Sequence, residues 1–468
     1  MATAGWLFGV LGLFCLQTLG CRAQGPARPK KHTGPIVLIT FEGLRDDAVT
    51  GLGGEPGLTP RFSALLARSW SGRGIAASGW AEASIASVVT GLSPWQHQVL
   101  TPGTGELAAG VLPLAEALHS AGYRTYGFGS AREVRLGLSR GFDEFGDLGK
   151  GHAAMARLSR LSGGRELVWI HLSEPRPPFV RRDWLLARLA DAPTHLPRRL
   201  SAAQVDQLLA QGSGDPEVLR KLGAMYRSNV AWADERLGRL LDALDASGMR
   251  DRTLLLVTSV IGEDFGPGRL EGRDRGLGRQ VLEVPLVVEL PSQSPRRIAT
   301  ALKSPVALTR LWATVAEATG LPVPPAVAPS LFRQTSAPIL SDLYGGPDGS
   351  NHFSLLAGSD QLLWQVAFAP PGDPGPPGAP APPDTAREAA FLATPPLHGD
   401  GGPGSTPVLH LLRWGPGGSR PIADPAREKA LALALERAWM RFVPEELSPS
   451  AEVRTRGGAP TAPERANR

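Results

Sequence analysis

Cysteine is nearly absent. The chain holds two, Cys15 and Cys21, both near its amino terminus, so no disulfide can tie distant parts of a fold together. Lysine is sparse too: the 49 basic residues are almost all arginine. No Lys/Arg run is interleaved with aromatics, which removes the usual signal for nucleic-acid binding. The apolar run Gly5–Leu19 is too short to span a bilayer and has the length of a signal peptide. No internal repeat is evident.

What is present suits a large globular protein. The chain has 468 residues, 42% hydrophobic and 20% charged, with a net charge of +5. Such a length can bury a sizeable core in two or three domains. Arginine forks suit sulfate, phosphate and carboxylate better than lysine does. The same arginine excess follows from a GC-rich genome, which also writes Ala, Gly and Pro throughout.

The amino terminus reads as an export signal. Cys21-Arg22-Ala23 offers a small-x-small cleavage site after Ala23, giving a signal peptide over 1–23. Leu19-Gly20-Cys21 offers the alternative of a lipoprotein signal, with Cys21 lipidated and acting as the membrane anchor. Either way the expected location is outside the cytoplasm: periplasmic, secreted or lipid-anchored. Residues 24–34 read as a basic, proline-containing linker.

From there the chain alternates apolar runs and helical patterns. Pro35–Phe41 is a continuous apolar run bounded by Gly34 and Gly43, the mark of a buried parallel strand. Leu167–Leu172, Thr253–Ser259 and Val281–Val288 look alike. Thr59-Pro60 is an N-cap and first-turn pair. Leu112–Gly122 and Leu308–Ala318 have helical spacing. Tyr226–Leu244 places Val230, Ala233, Leu237, Leu240, Leu241 and Leu244 on one face. His352–Phe368 reads as a strand pair, Val408–Leu412 as a strand, and Ala426–Phe442 as a helix. Residues 370–407 are Pro/Gly-rich, and 446–468 read as a disordered tail.

Several short motifs, in order, resemble the sulfatase family of the alkaline-phosphatase superfamily. Glu42-Gly43-Leu44-Arg45-Asp46-Asp47 follows the first strand as that family's Asp-Asp-Leu-Arg-x-Asp does. Ala81-Glu82-Ala83-Ser84-Ile85 stands where it has Cys-x-Pro-Ser-Arg, and Ala86–Gly91 continues its small and apolar Thr-Gly ending. Gly91-x-x-Pro94-x-x-His97, Gly141-Phe142-Asp143-x-Phe145, Asp234-x-x-x-Gly238 and Val284-Pro285-Leu286 are further matches. The resemblance covers about residues 35–442. It implies an α/β fold: a large mixed, mostly parallel sheet flanked by helices over 35–325, and a smaller C-terminal α+β subdomain over 326–445.

The resemblance also implies where chemistry would sit, and this sequence departs from it there. Ala81 occupies the position of the Cys or Ser nucleophile that the family oxidises to an aldehyde. Sulfatases use a divalent cation, usually calcium, at four usual positions, two after the first strand and an Asp and a His after a later one. Here those positions carry Glu42, Gly43, Val260 and Ile261, so only Glu42 keeps a carboxylate and no cofactor is expected. Arg176 replaces a His that would contact the ester, and His171 matches a His before that motif. Gly129-Ser130-Ala131-Arg132 stands where a sulfate-binding Lys and His often occur. Counting on without a gap, Gly268 stands for a loop His and Arg273 for a sulfate-contacting side chain. The matches on both sides of Val260 and Ile261 argue against a misplaced register.

The leading expectation is a sulfatase-fold protein without catalysis. Its candidate ligand-binding residues are Glu42, Arg45, Arg132, His171, Arg176 and Arg273, and its candidate ligand a sulfated or other anionic molecule. The bland alternative is that these arginines form ion pairs. Taken alone, Glu42 reads as a strand-end residue facing solvent, while His97 and His171 read as core histidines. A second reading is an active sulfuric- or phosphoric-ester hydrolase with a displaced nucleophile, Ser84 or Ser78. A third is a structural module that pairs with an active paralogue.

Overall fold

The computed structural model describes residues 31–440 except 104, 150, 190, 194, 212–214, 266–275, 295–303, 336, 345–350, 367–407, 416–417 and 422. The signal segment, the Pro/Gly-rich stretch, Gly268, Arg273 and the tail lie outside the described residues.

The strands are β1 (Ile36–Glu42), β2 (Trp70–Ile75), β3 (Arg124–Gly129), β4 (Glu144–Asp147), β5 (Glu166–Pro175), β6 (Phe179–Val180), β7 (Arg199–Leu200), β8 (Leu254–Ser259), β9 (Glu283–Glu289) and β10 (Val306–Ala307), followed by β11 (Ile339–Leu343), β12 (Asn351–Ala357), β13 (Asp360–Val366), β14 (Val408–Gly415) and β15 (Gly418–Pro421). Between them run α1 (Pro60–Leu66), α2 (Ala81–Thr90), α3 (Pro94–His97), α4 (Leu114–Ser120), α5 (Ala131–Arg135), α6 (His152–Leu158), α7 (Asp183–Leu186), α8 (Ala202–Gln211), α9 (Pro216–Ala246), α10 (Arg279–Leu282), α11 (Arg310–Thr319) and α12 (Pro425–Met440).

Eight strands form one sheet in the order β10-β2-β9-β8-β1-β5-β3-β4. Only β9 runs against its neighbours; the other pairings are parallel. Parallel strands need both faces covered, so their residues are apolar throughout. Strand β1 is buried along its whole length. Ile36 and Leu38 enter a core shared with Ile85 of α2 and Trp312 of α11. Val37, Ile39 and Phe41 enter another, shared with Phe62 of α1 and Met225 of α9. Successive side chains of a strand point to opposite faces, so these are the two sides of one helix-sheet-helix sandwich. A second sheet, β11-β12-β13-β14-β15, is antiparallel and packs against α12. Among the described residues no helix is long and apolar enough to cross a membrane.

Helix α9 is longer than its apolar stripe suggests, starting ten residues before Tyr226. The Asp215 side chain accepts a hydrogen bond from the Glu217 amide at 2.8 Å, and Pro216 opens the first turn, a start signal that periodicity does not register. Thr59 does not cap α1 with its hydroxyl. That oxygen accepts from the Thr50 amide at 2.7 Å. The cap comes from α9, where Asp234 accepts from the amides of Arg61 at 3.1 Å and Phe62 at 2.8 Å. A Cβ at Gly238, one turn on, would lie 2.7 Å from the Arg61 stem. The Asp-x-x-x-Gly spacing is thus the docking site of α1. Residues Val281 and Leu282, read as strand, instead close the short helix α10, and β9 begins at Glu283.

Candidate active-site cleft

Strands β1, β2, β3, β5 and β8 run the same way, and their carboxyl ends open into a cavity of about 550 Å³. Crevices at such strand ends are where open α/β sheets place ligands. Glu42 ends β1, Ala81 starts α2 after β2, Arg132 lies in α5 after β3, and His171 and Arg176 come from β5 and the loop after it; all five line the cavity.

Glu42 is at the floor and 1% exposed, so the reading as a solvent-facing strand end is corrected. Arg132 reaches it with two nitrogens: Nη1 donates to Oε1 at 3.2 Å, and Nη2 contacts Oε2. Arg176 donates to Oε1 from Nη1, and its amide donates to the Glu42 carbonyl at 3.1 Å. His171 Nε2 lies 3.4 Å from Oε2. Burial by itself would push the Glu42 carboxyl up. The charges of Arg176 and Arg132, with hydrogen bonds from His171 and Arg132, outweigh it and hold the group well below the ordinary carboxylate range.

The partners are themselves held. Thr40 Oγ1 accepts from the Trp169 indole at 3.1 Å and lies 2.9 Å from His171 Nδ1. On the other side of the ring, Nε2 faces Glu42 Oε2 at 3.4 Å and Arg132 Nη2 at 3.3 Å. Arg132 Nε donates to Glu133 Oε1 at 2.9 Å. Glu133 Oε2 accepts from the Ser130 amide at 2.7 Å and its hydroxyl at 2.6 Å. This is a capping box at the start of α5, visible in the sequence as Ser-x-x-Glu although Glu133 was not read as a site residue. Arg236 of α9 also lines the cavity and donates to Glu174 Oε1 at 2.6 Å; nothing in the spacing of α9 singles it out. Glu82 accepts from the Gly103 amide at 2.7 Å. Five carboxylates and three guanidiniums line the cavity, so its wall is formally acidic rather than basic.

The other candidates lie elsewhere. Arg45 pairs with Asp47 through Nε at 2.8 Å and Nη2 at 2.6 Å and is not among the cavity-lining residues. Ser84 donates to the Val260 carbonyl at 2.6 Å, and Ser78 accepts from the Trp80 amide at 3.2 Å. Both serines are fully buried and neither lines the cavity. His97 is buried 2.9 Å from the Ser87 hydroxyl. Burial lowers its pKa to about 3, which makes it a neutral core residue.

A hard divalent cation asks for six or more oxygen ligands, and the residues present do not fit one. Glu42 is taken up by guanidiniums. Gly43 sits at φ +89°, and a Cβ there would lie 3.2 Å from Glu263 Oε2 and 3.3 Å from the Arg176 nitrogen. Val260 and Ile261 are buried in the same apolar core as Ala81 and Ile85. Among the described residues no group of three or more His, Cys, Asp or Glu is disposed to hold a metal. Ala81, 3% exposed at the first position of α2, offers the cavity a methyl group.

The fold matches that of sulfatases, as the motifs suggested, and that of phosphonate monoester hydrolases. A 2-O GAG sulfatase superposes with a TM-score of 0.59 at 15% identity, over 71% of this chain and 83% of that one. A phosphonate monoester hydrolase from Silicibacter pomeroyi gives 0.55 at 18% identity, over 73% and 90%. Its counterpart from Agrobacterium radiobacter gives 0.52 at 18%, over 70% and 87%. In sequence, the multifunctional alkaline phosphatase superfamily protein PehA of Trinickia caryophylli is 34% identical over 88 residues, a match spanning 18% of this chain and 17% of that protein. No protein-family profile matches the chain.

Proposed function

We propose that this chain is a sulfatase-fold protein without hydrolytic activity, exported from the cytoplasm. One observation carries the reading. The cavity presents the Ala81 methyl beside a Glu42 carboxylate already bound by Arg132 and Arg176. Ester hydrolysis on this fold needs a nucleophile and an electrophilic cation acting together. Ala81 has no heteroatom to attack with. Glu42, Gly43, Val260 and Ile261 supply one carboxylate among them. Export is supported by the apolar run Gly5–Leu19 and the small-x-small site ending at Ala23.

In this reading Arg45, Arg132 and Arg176 serve as ion-pair partners rather than as an open receptor for a sulfated ligand. The competing reading, an ester hydrolase with a displaced nucleophile, loses its candidates Ser84 and Ser78, which are buried away from the cavity; the serine hydroxyls that line it are those of Ser130, which donates to Glu133 at 2.6 Å, and Ser173. Elemental analysis separates the two. Protein equilibrated with calcium or manganese and then desalted is expected to retain neither stoichiometrically. One bound divalent ion per chain would overturn the non-catalytic reading.

A further inference from the structure

Glu42, Arg132, Arg176 and His171 form the most heavily invested cluster of charged groups in the cavity, and the cluster has one unusual property. Its anion is supplied by the protein. The carboxylate of Glu42 is planar and fully buried, with a guanidinium on each oxygen: Arg176 on Oε1, and Arg132 on both Oε1 and Oε2. His171 Nε2 stands 3.4 Å from Oε2. Convergent guanidinium and imidazole donors are what a protein offers to a small oxyanion. The Arg132 guanidinium is fixed from behind by Glu133, and the Arg176 backbone is held by the hydrogen bond its amide donates to the Glu42 carbonyl. In front of them lies about 550 Å³ of cavity, ample for a tetrahedral oxyanion and its water.

We propose that Glu42 is a resident anion: it occupies an oxyanion-binding site built by Arg132 and Arg176 and keeps free oxyanions out. With Glu42 charged, the Glu42–Glu133–Arg132–Arg176 group carries as many negative as positive side chains. An incoming sulfate or phosphate would have to displace a covalently tethered carboxylate, whose effective concentration no free ligand matches. It would also meet Glu82, Asp147 and Glu174 on the walls. Take the charge of Glu42 away and Arg132 and Arg176 lose the carboxylate they share, while Arg132 keeps Glu133. The amide of a glutamine can occupy the space without neutralising them.

The test is titration of E42Q and the wild-type chain with inorganic sulfate and inorganic phosphate at constant ionic strength, read by calorimetry and by thermal unfolding. E42Q is expected to bind one sulfate or phosphate per chain, on the order of tenfold or more tighter than wild type, and its midpoint should climb with anion concentration. E42Q/R132Q should lose both effects. If E42Q is too unstable to stay folded in plain buffer, sulfate should restore its fold while raising the wild-type midpoint only by the small general effect of an excluded salt. Saturable wild-type binding as tight as that of E42Q would overturn the proposal. So would an E42Q chain that neither binds these anions nor gains stability from them. Binding is read here without any turnover, so its failure would leave the non-catalytic reading standing.

Discussion

Arg132 meets Glu42 with both of its terminal nitrogens, one of them 3.2 Å from Oε1, across 90 residues of sequence. The carboxylate is 1% exposed and the guanidinium side chain 25%. A buried charge in such a site is tolerated only because its partners are in place, and removing one side of the pair costs far more than the pair contributes.

Glu42→Gln should therefore lower stability by about 3–5 kcal/mol in plain buffer, since Arg132 and Arg176 lose the carboxylate they share. Urea unfolding at neutral pH measures this. The sign of the pH dependence follows from the depressed pKa. Above the ordinary value of 4.5 the contribution of Glu42 is fully present, and it is lost as pH falls from there towards the folded-state value. The gap between wild type and Glu42→Gln should narrow below that pH. A gap that stays constant into acid would assign the loss to packing.

Asp46 titrates the other way. It is buried beside Glu283 with Arg73 Nε at 3.2 Å. Burial, with the charges of Glu283 and Asp47, raises its pKa to about 7. A raised carboxyl binds more protons folded than unfolded, so stability falls as pH rises from the ordinary 3.8 through 7. Asp46→Asn should flatten that decline and leave the variant the more stable chain at pH 8. Thermal unfolding of both chains across pH 5–8 reads the two slopes, and a difference between them that does not change with pH would contradict the account.

Asp234→Ala should cost about 0.5–2 kcal/mol, the worth of a helix cap, because the amides of Arg61 and Phe62 lose their acceptor. Hydrogen exchange should quicken at those two amides, beyond any general loosening. Unchanged exchange there would remove the capping role.

How much of this was legible in the sequence divides along physical lines. Burial on both faces forces the apolar runs of β1, β5 and β8, so the sheet could be read directly. The Asp234 and Gly238 spacing could be matched, but its cause, α1 lying across α9, is tertiary and carries no periodic signal. Glu42, Arg132, His171 and Arg176 were read as candidates and do converge, because each lies near the carboxyl end of β1, β3 or β5. Arg45 was read with them and turns away to Asp47, since Gly43 at φ +89° redirects the chain just before it. Their ionic state was not legible: the sequence shows arginines near a strand end, and only the fold shows that carboxylates already hold them. Arg236 reaches the cavity from mid-helix α9 and gave no signal at all.

Ala81→Ser returns a hydroxyl to the first position of α2. The side chain meets the cavity edge, so the variant should fold with a stability within about 1 kcal/mol of wild type. In the non-catalytic reading it still turns over no aryl sulfate, since Glu42, Gly43, Val260 and Ile261 offer a cation one carboxylate, itself bound by Arg132 and Arg176. Hydrolysis by this variant would contradict the reading that the cleft cannot support a cation.

The central claim is that the cleft performs no ester hydrolysis, and turnover itself tests it most directly. Purified wild-type chain should release no product from aryl sulfate, aryl phosphate or aryl phosphonate monoester, with or without calcium or manganese, beyond a matched Glu42→Ala control. Turnover that rises with added metal and disappears in Glu42→Ala would contradict the account.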